Sequence, residues 1–143
     1  MTADWTSLVH MASNVDFNRL AEKLLGYDYA YLITVDAENR PHPVPVMPTL
    51  DGKIVRIGAL GGRRSRANLA RSSEVTVMWP PPVPGGYTVI VDGTAEVSDA
   101  GELAAVAISA TRAVLIRVAT PESPGETPCY SDCVDLKLTA QEA

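Results

Sequence analysis

Hydrophobic residues near the N-terminus recur with the spacing of a helix. Over residues 14–26 they lie three and four positions apart, which predicts an amphipathic helix with one packed face: Val15, Phe17, Leu20, Ala21, Leu24 and Leu25. Asn14 or Asp16 is suited to cap its start, and Gly26 suits its C-terminal end. Residues 1–13 are less periodic, so a second short helix or an arm is expected there.

From residue 27 onward the pattern becomes that of β-strands. β-branched and aromatic residues predict strands over four runs: 29–35, 53–60, 74–79 and 111–118. The longer run 87–97 predicts one strand or two, with Gly93 allowing a bend. The Ala-rich stretch 99–110 is compatible with helix or strand, and 134–138 with a final strand or an arm.

Prolines alternate with other residues just after the first predicted strand. Because Pro41, Pro43 and Pro45 lack a backbone donor, they predict a strand that hydrogen-bonds on one side only, which places it at a sheet edge. His42, Val44 and Val46 would then face the other side. An unpaired strand edge beside a pocket would accommodate a flat ligand. The Asp51-Gly52 pair predicts a hairpin turn into the next strand.

These elements predict a mainly β (α+β) fold with few helices. Arg66 to Ser73 is expected to form a helix of about two turns with Ala67, Leu69 and Ala70 inward. Six or more antiparallel strands with short helices at the ends indicate a closed or half-closed β-barrel, and a β-sandwich is the alternative. The chain length fits a single domain over residues 1–143, in which 1–13 form an N-terminal arm and 119–143 a C-terminal loop and arm.

Charge and hydropathy narrow the classes of function. The net charge of −5 argues against general nucleic-acid binding, which needs a broad positive surface. No apolar run reaches the roughly 18–20 residues of a membrane span, and no basic region precedes an apolar stretch at the N-terminus. We therefore expect a cytoplasmic protein that binds neither nucleic acid nor membrane. No Ser-His-Asp or Cys-His-Asn set is visible, so we assign no catalytic residue.

Within this acidic chain, cations concentrate in the segment Gly61-Gly62-Arg63-Arg64-Ser65-Arg66. The segment follows a strand-like run and opens a predicted helix. A glycine turn, fixed cations and a helix N-terminus together form a place for an anion, most simply a phosphate. Without an anion the arginines would be unfavourable there, because the helix dipole favours negative charge at that end.

The two cysteines, Cys129 and Cys133, leave several roles open. They are too few for a structural zinc site, and their spacing is one residue longer than the redox C-x-x-C motif. Reduced structural thiols, a local disulfide or redox pair, and a metal site shared across subunits are the alternatives. His10 and His42 are remote in sequence, so we assign no metal ligands.

The order of these motifs resembles that of the flavin-binding split-barrel family typified by pyridoxamine 5'-phosphate oxidase. The resemblance covers residues 16–119 and rests on four features: the Pro-His-Pro-Val-Pro-Val strand, the Asp-Gly hairpin, the Arg-rich turn with its helix, and the strand carrying Val-Asp-Gly-Thr-Ala. It implies a split β-barrel that forms homodimers and binds FMN between subunits. Some branches of the family bind the deazaflavin F420 or haem instead.

The resemblance also implies where a cofactor would lie. The family's phosphate triplet falls on Arg63, Arg64 and Ser65, with Arg66 able to supply a displaced charge. A second phosphate contact falls on Gly58 and Ala59. The strand beside the flavin ring corresponds to Val44, Pro45 and Val46, and a further flavin contact falls on Thr88. His42, on the same strand, is a candidate ligand or flavin-ring contact, and the alternative is a partly exposed strand histidine.

Two hypotheses for function follow from the resemblance. The first is an oxidoreductase that uses bound FMN, or F420, to reduce or oxidise an unidentified small molecule. Because the C-terminal substrate residues of the oxidase itself have no counterpart, pyridoxamine phosphate is not the expected substrate. The second is a non-catalytic protein that binds flavin, F420 or haem, with His42 as the candidate axial ligand, or a family member that has lost its cofactor.

Overall fold

The first helix, α1 (Phe17–Lys23), is shorter than its hydrophobic period predicts. The computed structural model describes residues 14–100, 103–123 and 130–138. Asp16 caps the helix, since its side chain accepts a 3.1 Å hydrogen bond from the backbone N–H of Arg19. Val15 forms an antiparallel bridge with Lys137 instead of continuing the helix, and Gly26 has a positive φ of 87° just beyond its end. Tertiary pairing therefore sets the N-terminal limit of α1.

All the described strands belong to one antiparallel sheet. Its order is β2-β1-β5-β6-β7-β4-β3, and β8 pairs with β7 outside this path. The strands are β1 (Ala30–Val35), β2 (Pro41–Val46), β3 (Thr49–Asp51), β4 (Ile54–Leu60), β5 (Glu74–Trp79), β6 (Thr88–Ala100), β7 (Leu103–Val118) and β8 (Ser131–Asp135).

The sheet curls so that its two ends approach each other. β2 and β3 end the strand order, yet only Met47 and Pro48 separate them in the chain. Three Cα steps span no more than about 11 Å, so the two edges must lie close together. The enclosed face carries the core, which includes Leu32, Val77 and Val91, all fully buried. This is the predicted barrel-like arrangement, with Trp79 in its core.

The proline-rich strand β2 lies at an edge, as predicted. Among the described strands it pairs only with β1, and His42 stands opposite Thr34 in that register. Because prolines cannot donate, the ladder hydrogen bonds of β2 must come from His42, Val44 and Val46. Pro41, Pro43 and Pro45 are exposed. Residues opposite one another share a face, so His42 lies on the same side of the sheet as the buried Thr34.

The ambiguous stretch 99–110 is strand wherever the structure describes it. Residues Leu103–Val118 form one long strand, β7. It pairs with β6 along its length and with both β4 and β8 on its other side. The register of β6 and β7 shifts between Asp92 and Gly93, where the sequence allows a bend. β8 begins at Ser131, earlier than the predicted start at residue 134.

The second helix, α2 (Arg63–Arg71), starts three residues before its predicted beginning and ends two residues earlier. The prediction of its inward face was partly wrong. Leu69 is buried, but Ala67 and Ala70 are exposed, and the buried positions include Ser65 and Asn68. The helix packs through a mixed polar face, so hydrophobic spacing alone misplaces its contacts. Because α2 begins at Arg63, both Arg63 and Arg64 lie within its first turn.

Candidate anion site at the second helix

The N-terminus of α2 carries positive charge and has no side-chain cap. Gly62 is the N-cap, in extended conformation, and no side chain satisfies the first backbone N–H groups. The first turn holds no acidic residue, while Arg63 and Arg64 are exposed there. Among the described residues neither arginine forms an ion pair or hydrogen bond. Unclaimed N–H groups, the helix dipole and two unpaired guanidinium groups together favour an anion.

Ser65 adds an unsatisfied donor in the same helical turn. The residue is fully buried, and its Oγ has no hydrogen-bond partner within the described part of the chain. A Cβ added to Gly62 would lie 3.5 Å from this Oγ, so the hydroxyl stands beside the N-cap. A buried hydroxyl without a partner costs free energy, which favours a ligand or water at the N-cap.

A cavity of about 540 Å³ brings two of the predicted cofactor residues together. Arg64 from α2 and His42 from β2 both line it, and the β1–β2 turn supplies the remaining wall: Asp36, Ala37, Glu38, Arg40 and Pro41. His42 is half-buried. The cavity therefore joins the arginine segment to the proline-rich strand, two features that are remote in sequence.

The acidic groups of this cavity are already occupied. Asp36 accepts hydrogen bonds from the backbone N–H groups of Arg40 and Glu38, both at 2.9 Å, and from Arg40 Nε at 2.8 Å. These bonds, the backbone bond from Arg40 foremost, hold the pKa of Asp36 below its ordinary value. Arg40 also contacts Glu38 at 3.3 Å. Of the two arginines that line the cavity, Arg40 pairs with Asp36 and Glu38, whereas Arg64 has no acidic partner among the described residues.

Two side chains of α2 that the sequence reasoning missed attach the helix to β1. Asn68 Nδ2 donates to Thr34 Oγ1 at 3.0 Å, and both residues are buried. Arg71 donates to the main-chain carbonyls of Val35 at 2.6 Å and Asp36 at 2.8 Å. The spacing of Arg64, Asn68 and Arg71, four and then three residues, places them on one helix face and could have signalled these contacts.

The other predicted cofactor residues lie outside the lining of this cavity. Val44, Pro45 and Val46 continue β2 beyond His42, with Pro45 exposed and Val46 buried. Gly58 and Ala59 are exposed on β4, where its pairing with β7 becomes irregular, and a Cβ on Gly58 would meet nothing within 4 Å. Thr88 begins β6 and is half-buried, and Arg66 is half-buried on α2.

A second polar cluster lies beneath β8 and was not anticipated. Asp132, which is 1% exposed, accepts through Oδ2 from Tyr87 Oη at 2.7 Å, Arg117 Nε at 2.8 Å and Ser123 Oγ at 3.1 Å. The Arg117 guanidinium also stacks 4.3 Å from the centre of the Tyr87 ring. The hydrogen bond from Tyr87, followed by those from Arg117 and Ser123, lowers the pKa of Asp132. The same bond to Asp132 raises the pKa of Tyr87.

The described ranges contain no group of three or more His, Cys, Asp or Glu side chains placed to hold a metal ion. They also contain no helix long and apolar enough to cross a bilayer. Cys133 is exposed on β8 and forms no disulfide with another described residue. Cys129 and His10 lie outside the described residues, so the proposed roles of the cysteine pair stay open.

The sequence profile of the pyridoxamine 5'-phosphate oxidase family matches residues 19–128. The chain belongs to this family. The match includes α1 from Arg19 onward, strands β1 to β7, and α2. An uncharacterized protein of Mycobacterium tuberculosis is 47% identical over 136 residues, covering 86% of this chain and 95% of the relative.

Solved structures of the pyridoxamine 5'-phosphate oxidase type share the fold of this chain. A putative pyridoxamine 5'-phosphate oxidase from Listeria innocua aligns with a TM-score of 0.58 at 14% identity, covering 68% of this chain and 95% of that one. A structure named F420 reductase aligns with a TM-score of 0.54 at 16% identity, covering 64% and 94%. The fold is therefore the split β-barrel of this family, and at these identities the likeness concerns the fold alone.

Proposed function

We propose that this protein binds FMN, or the deazaflavin F420, and acts as an oxidoreductase on a small molecule. The observation that carries the proposal is a pair of arginines, Arg63 and Arg64, that have no acidic partner among the described residues. They lie at a helix N-terminus without a side-chain cap, beside a cavity. The family places a cofactor phosphate at this helix. A solved structure named F420 reductase, which shares the fold of this chain, supports F420 as the second candidate.

The residues present suit a phosphate monoester at this position. Arg63 and Arg64 would supply charge-assisted hydrogen bonds, and the free backbone N–H groups of the first turn would add directional donors. The unsatisfied hydroxyl of Ser65 beside the N-cap is a further donor in that turn. The site differs from the family pattern, which has lysine at position 65, so affinity would rest more on the two arginines.

The isoalloxazine ring would lie along the proline-rich edge strand. Val44, Pro45 and Val46 would flank it, and His42 would contact its polar edge. Within one chain the strand registers place Thr88 three strands across and five residues along from the level of His42, so Thr88 would contact the ring from the second subunit. Gly58 and Ala59 are exposed and leave open space near the arginine turn. A bound flavin accepts and returns hydride or electrons, so the chain's task is to bind, orient and shield the ring. Because the oxidase's C-terminal substrate residues have no counterpart, we propose a substrate other than pyridoxamine phosphate.

The proposed active form is a homodimer. The outer face of the sheet carries an apolar row across four strands, because Pro45 stands opposite Tyr31, Tyr31 opposite Met78, and Met78 opposite Ile90. All four side chains are half-buried or exposed in the single chain. Apolar surface of this extent favours coverage by a second copy. A monomer in sedimentation at micromolar concentration would contradict this part of the proposal.

A second candidate is a non-catalytic protein that binds flavin, F420 or haem. The observation in its favour is His42, a half-buried imidazole that lines the same cavity and could ligate an iron. A Soret band that shifts in His42→Ala would favour haem binding. A flavin-loaded protein without turnover of any electron acceptor would favour the non-catalytic flavin alternative.

The visible spectrum of the purified protein, followed by titration with FMN and F420, tests the proposal. Absorbance near 450 nm, or saturable quenching of flavin fluorescence, is the expected result. Arg63→Glu/Arg64→Glu should abolish binding of phosphorylated cofactor, whereas Arg56→Glu, an exposed arginine paired with Asp51 on β3, should retain it. A colourless wild-type protein that takes up neither cofactor would refute the flavin assignment, and unchanged affinity in the double variant would refute the phosphate site.

A further inference from the structure

One face of α2 is polar and lies against the end of β1 and the β1–β2 turn. Arg64, Asn68 and Arg71 lie on this face, and each reaches a successive point of the hairpin. Arg64 lines the cavity opposite His42, Asn68 binds the hydroxyl of Thr34, and Arg71 binds the carbonyls where β1 ends. The helix is therefore attached to the hairpin at two points, and Arg64 projects from it at a third.

The two attachments restrain different motions of the helix. Asn68 and Thr34 form a buried side-chain hydrogen bond of 3.0 Å, which limits how far α2 can rotate about its axis. Arg71 donates to two consecutive carbonyls, of Val35 and Asp36, which limits sliding of α2 along the strand. Of these acceptors, Asp36 also lines the cavity. Together the two attachments set the position of Arg64 relative to His42, because Thr34 stands directly opposite His42 in the sheet.

We propose that Arg71 and Asn68 are positioning residues that hold Arg64 at the distance from which it binds the phosphate of the cofactor. The proposal rests on the function proposed above. Neither Arg71 nor Asn68 lines the cavity that Arg64 lines. Arg71 is exposed and binds only main-chain oxygens among the described residues, so it contributes to binding by orienting the helix that carries Arg64.

Paired titrations with FMN and riboflavin, which lacks the phosphate, separate positioning from general damage. Arg64→Ala should weaken FMN binding about tenfold or more, the size of a lost charge-assisted hydrogen bond, and leave riboflavin binding unchanged. Arg71→Ala should weaken FMN binding by up to about tenfold, again sparing riboflavin. Arg71→Lys, which retains a donor, should lose less. Arg56→Ala, with the same change of net charge, should leave both affinities unchanged.

The decisive comparison is the double variant Arg64→Ala/Arg71→Ala. If Arg71 acts through Arg64, the double variant binds FMN within about twofold of Arg64→Ala alone, because coupled residues are non-additive. Multiplicative losses in the double variant would overturn the proposal. Equal losses of FMN and riboflavin affinity in Arg71→Ala would also overturn it, since they would indicate a structural effect on the whole site.

A readout without cofactor distinguishes failure of this inference from failure of the proposed function. The Nε–H signal of Arg64 in nitrogen-edited NMR should shift on Arg71→Ala and stay in place on Arg56→Ala. Inorganic phosphate should perturb the same signal in the wild type. If the wild type binds neither FMN nor F420 but Arg64 moves on Arg71→Ala, the proposed function fails and the positioning stands. An Arg64 signal that Arg71→Ala leaves unchanged would refute the positioning whatever the cofactor.

Discussion

Gly93 occupies a point of β6 where a methyl group has no room. A Cβ built there would clash with the carbonyl oxygen of Ser109 and lie 2.8 Å from Cγ2 of Ile108, both on β7. Separations under 3.0 Å are essentially never observed for real Cβ atoms, so the two strands would have to part by at least several tenths of an ångström. Gly93 also stands opposite Val75 on β5, so β6 is held from both sides.

We therefore expect Gly93→Ala to be strongly destabilising. Overpacking of a core costs about 1–3 kcal/mol, and a clash with backbone between two paired strands belongs at the upper end, about 3 kcal/mol. That loss is a substantial fraction of the roughly 5–15 kcal/mol that stabilises an ordinary domain. With a urea m-value of about 2 kcal/mol per molar, the unfolding midpoint should fall by about 1.5 M.

Gly58→Ala is the matched control for this substitution. Gly58 lies in β4, where an added Cβ meets nothing within 4 Å. Its free energy of unfolding should change little, or rise by about 0.4–1 kcal/mol through the reduced entropy of the unfolded chain. Urea unfolding followed by tryptophan fluorescence, without added cofactor, measures both variants. If the Gly93→Ala protein were as stable as Gly58→Ala, β6 and β7 would not approach each other as closely at Gly93 as the structure places them.

Two further predictions concern buried polar contacts. Thr34→Val should lower the free energy of unfolding by about 1–3 kcal/mol because it leaves Asn68 Nδ2 unpaired, and Thr34→Val/Asn68→Leu should recover part of that loss in the same denaturation assay. Asp132 has a lowered pKa when folded, so its stabilising contribution is present above its ordinary pKa and is lost as pH falls through the folded value. Urea midpoints measured from neutral pH down to about pH 3 should fall less steeply for Asp132→Asn than for the wild type, and parallel curves would contradict this reasoning.

Much of the fold could be predicted because local patterns and tertiary structure agree. The alternating prolines at Pro41, Pro43 and Pro45 allow only an edge position, since no donor is available for a second neighbour. The Asp51-Gly52 turn has a positive φ of 60° at Gly52, a conformation that glycine adopts without steric cost. These features follow from backbone chemistry alone and hold in any tertiary context.

The predictions that failed or stayed open depended on contacts between distant segments. Residues 103–110 are rich in alanine, and only pairing with β4 and β6 makes them strand. In α2, apolar spacing suggested that Ala67 and Ala70 face inward, but the hydrogen bond of Asn68 to Thr34 turns a polar face toward the sheet. Local propensity is weak compared with such pairings, so it cannot rank the alternatives.

The sequence by itself determined the strand order along the chain, the proline edge and the concentration of arginine at the start of α2, because each depends on residue type and spacing. Only the tertiary structure decided which groups meet. It brings Arg64 and His42 to one cavity and pairs Asp36 with Arg40. It also buries the hydroxyl of Ser65 with no hydrogen-bond partner among residues 14–100, 103–123 and 130–138. The physical reason is that the curl of the sheet and the polar attachments of α2 place residues remote in sequence side by side. The proposed anion site rests on that convergence of charge and unsatisfied donors.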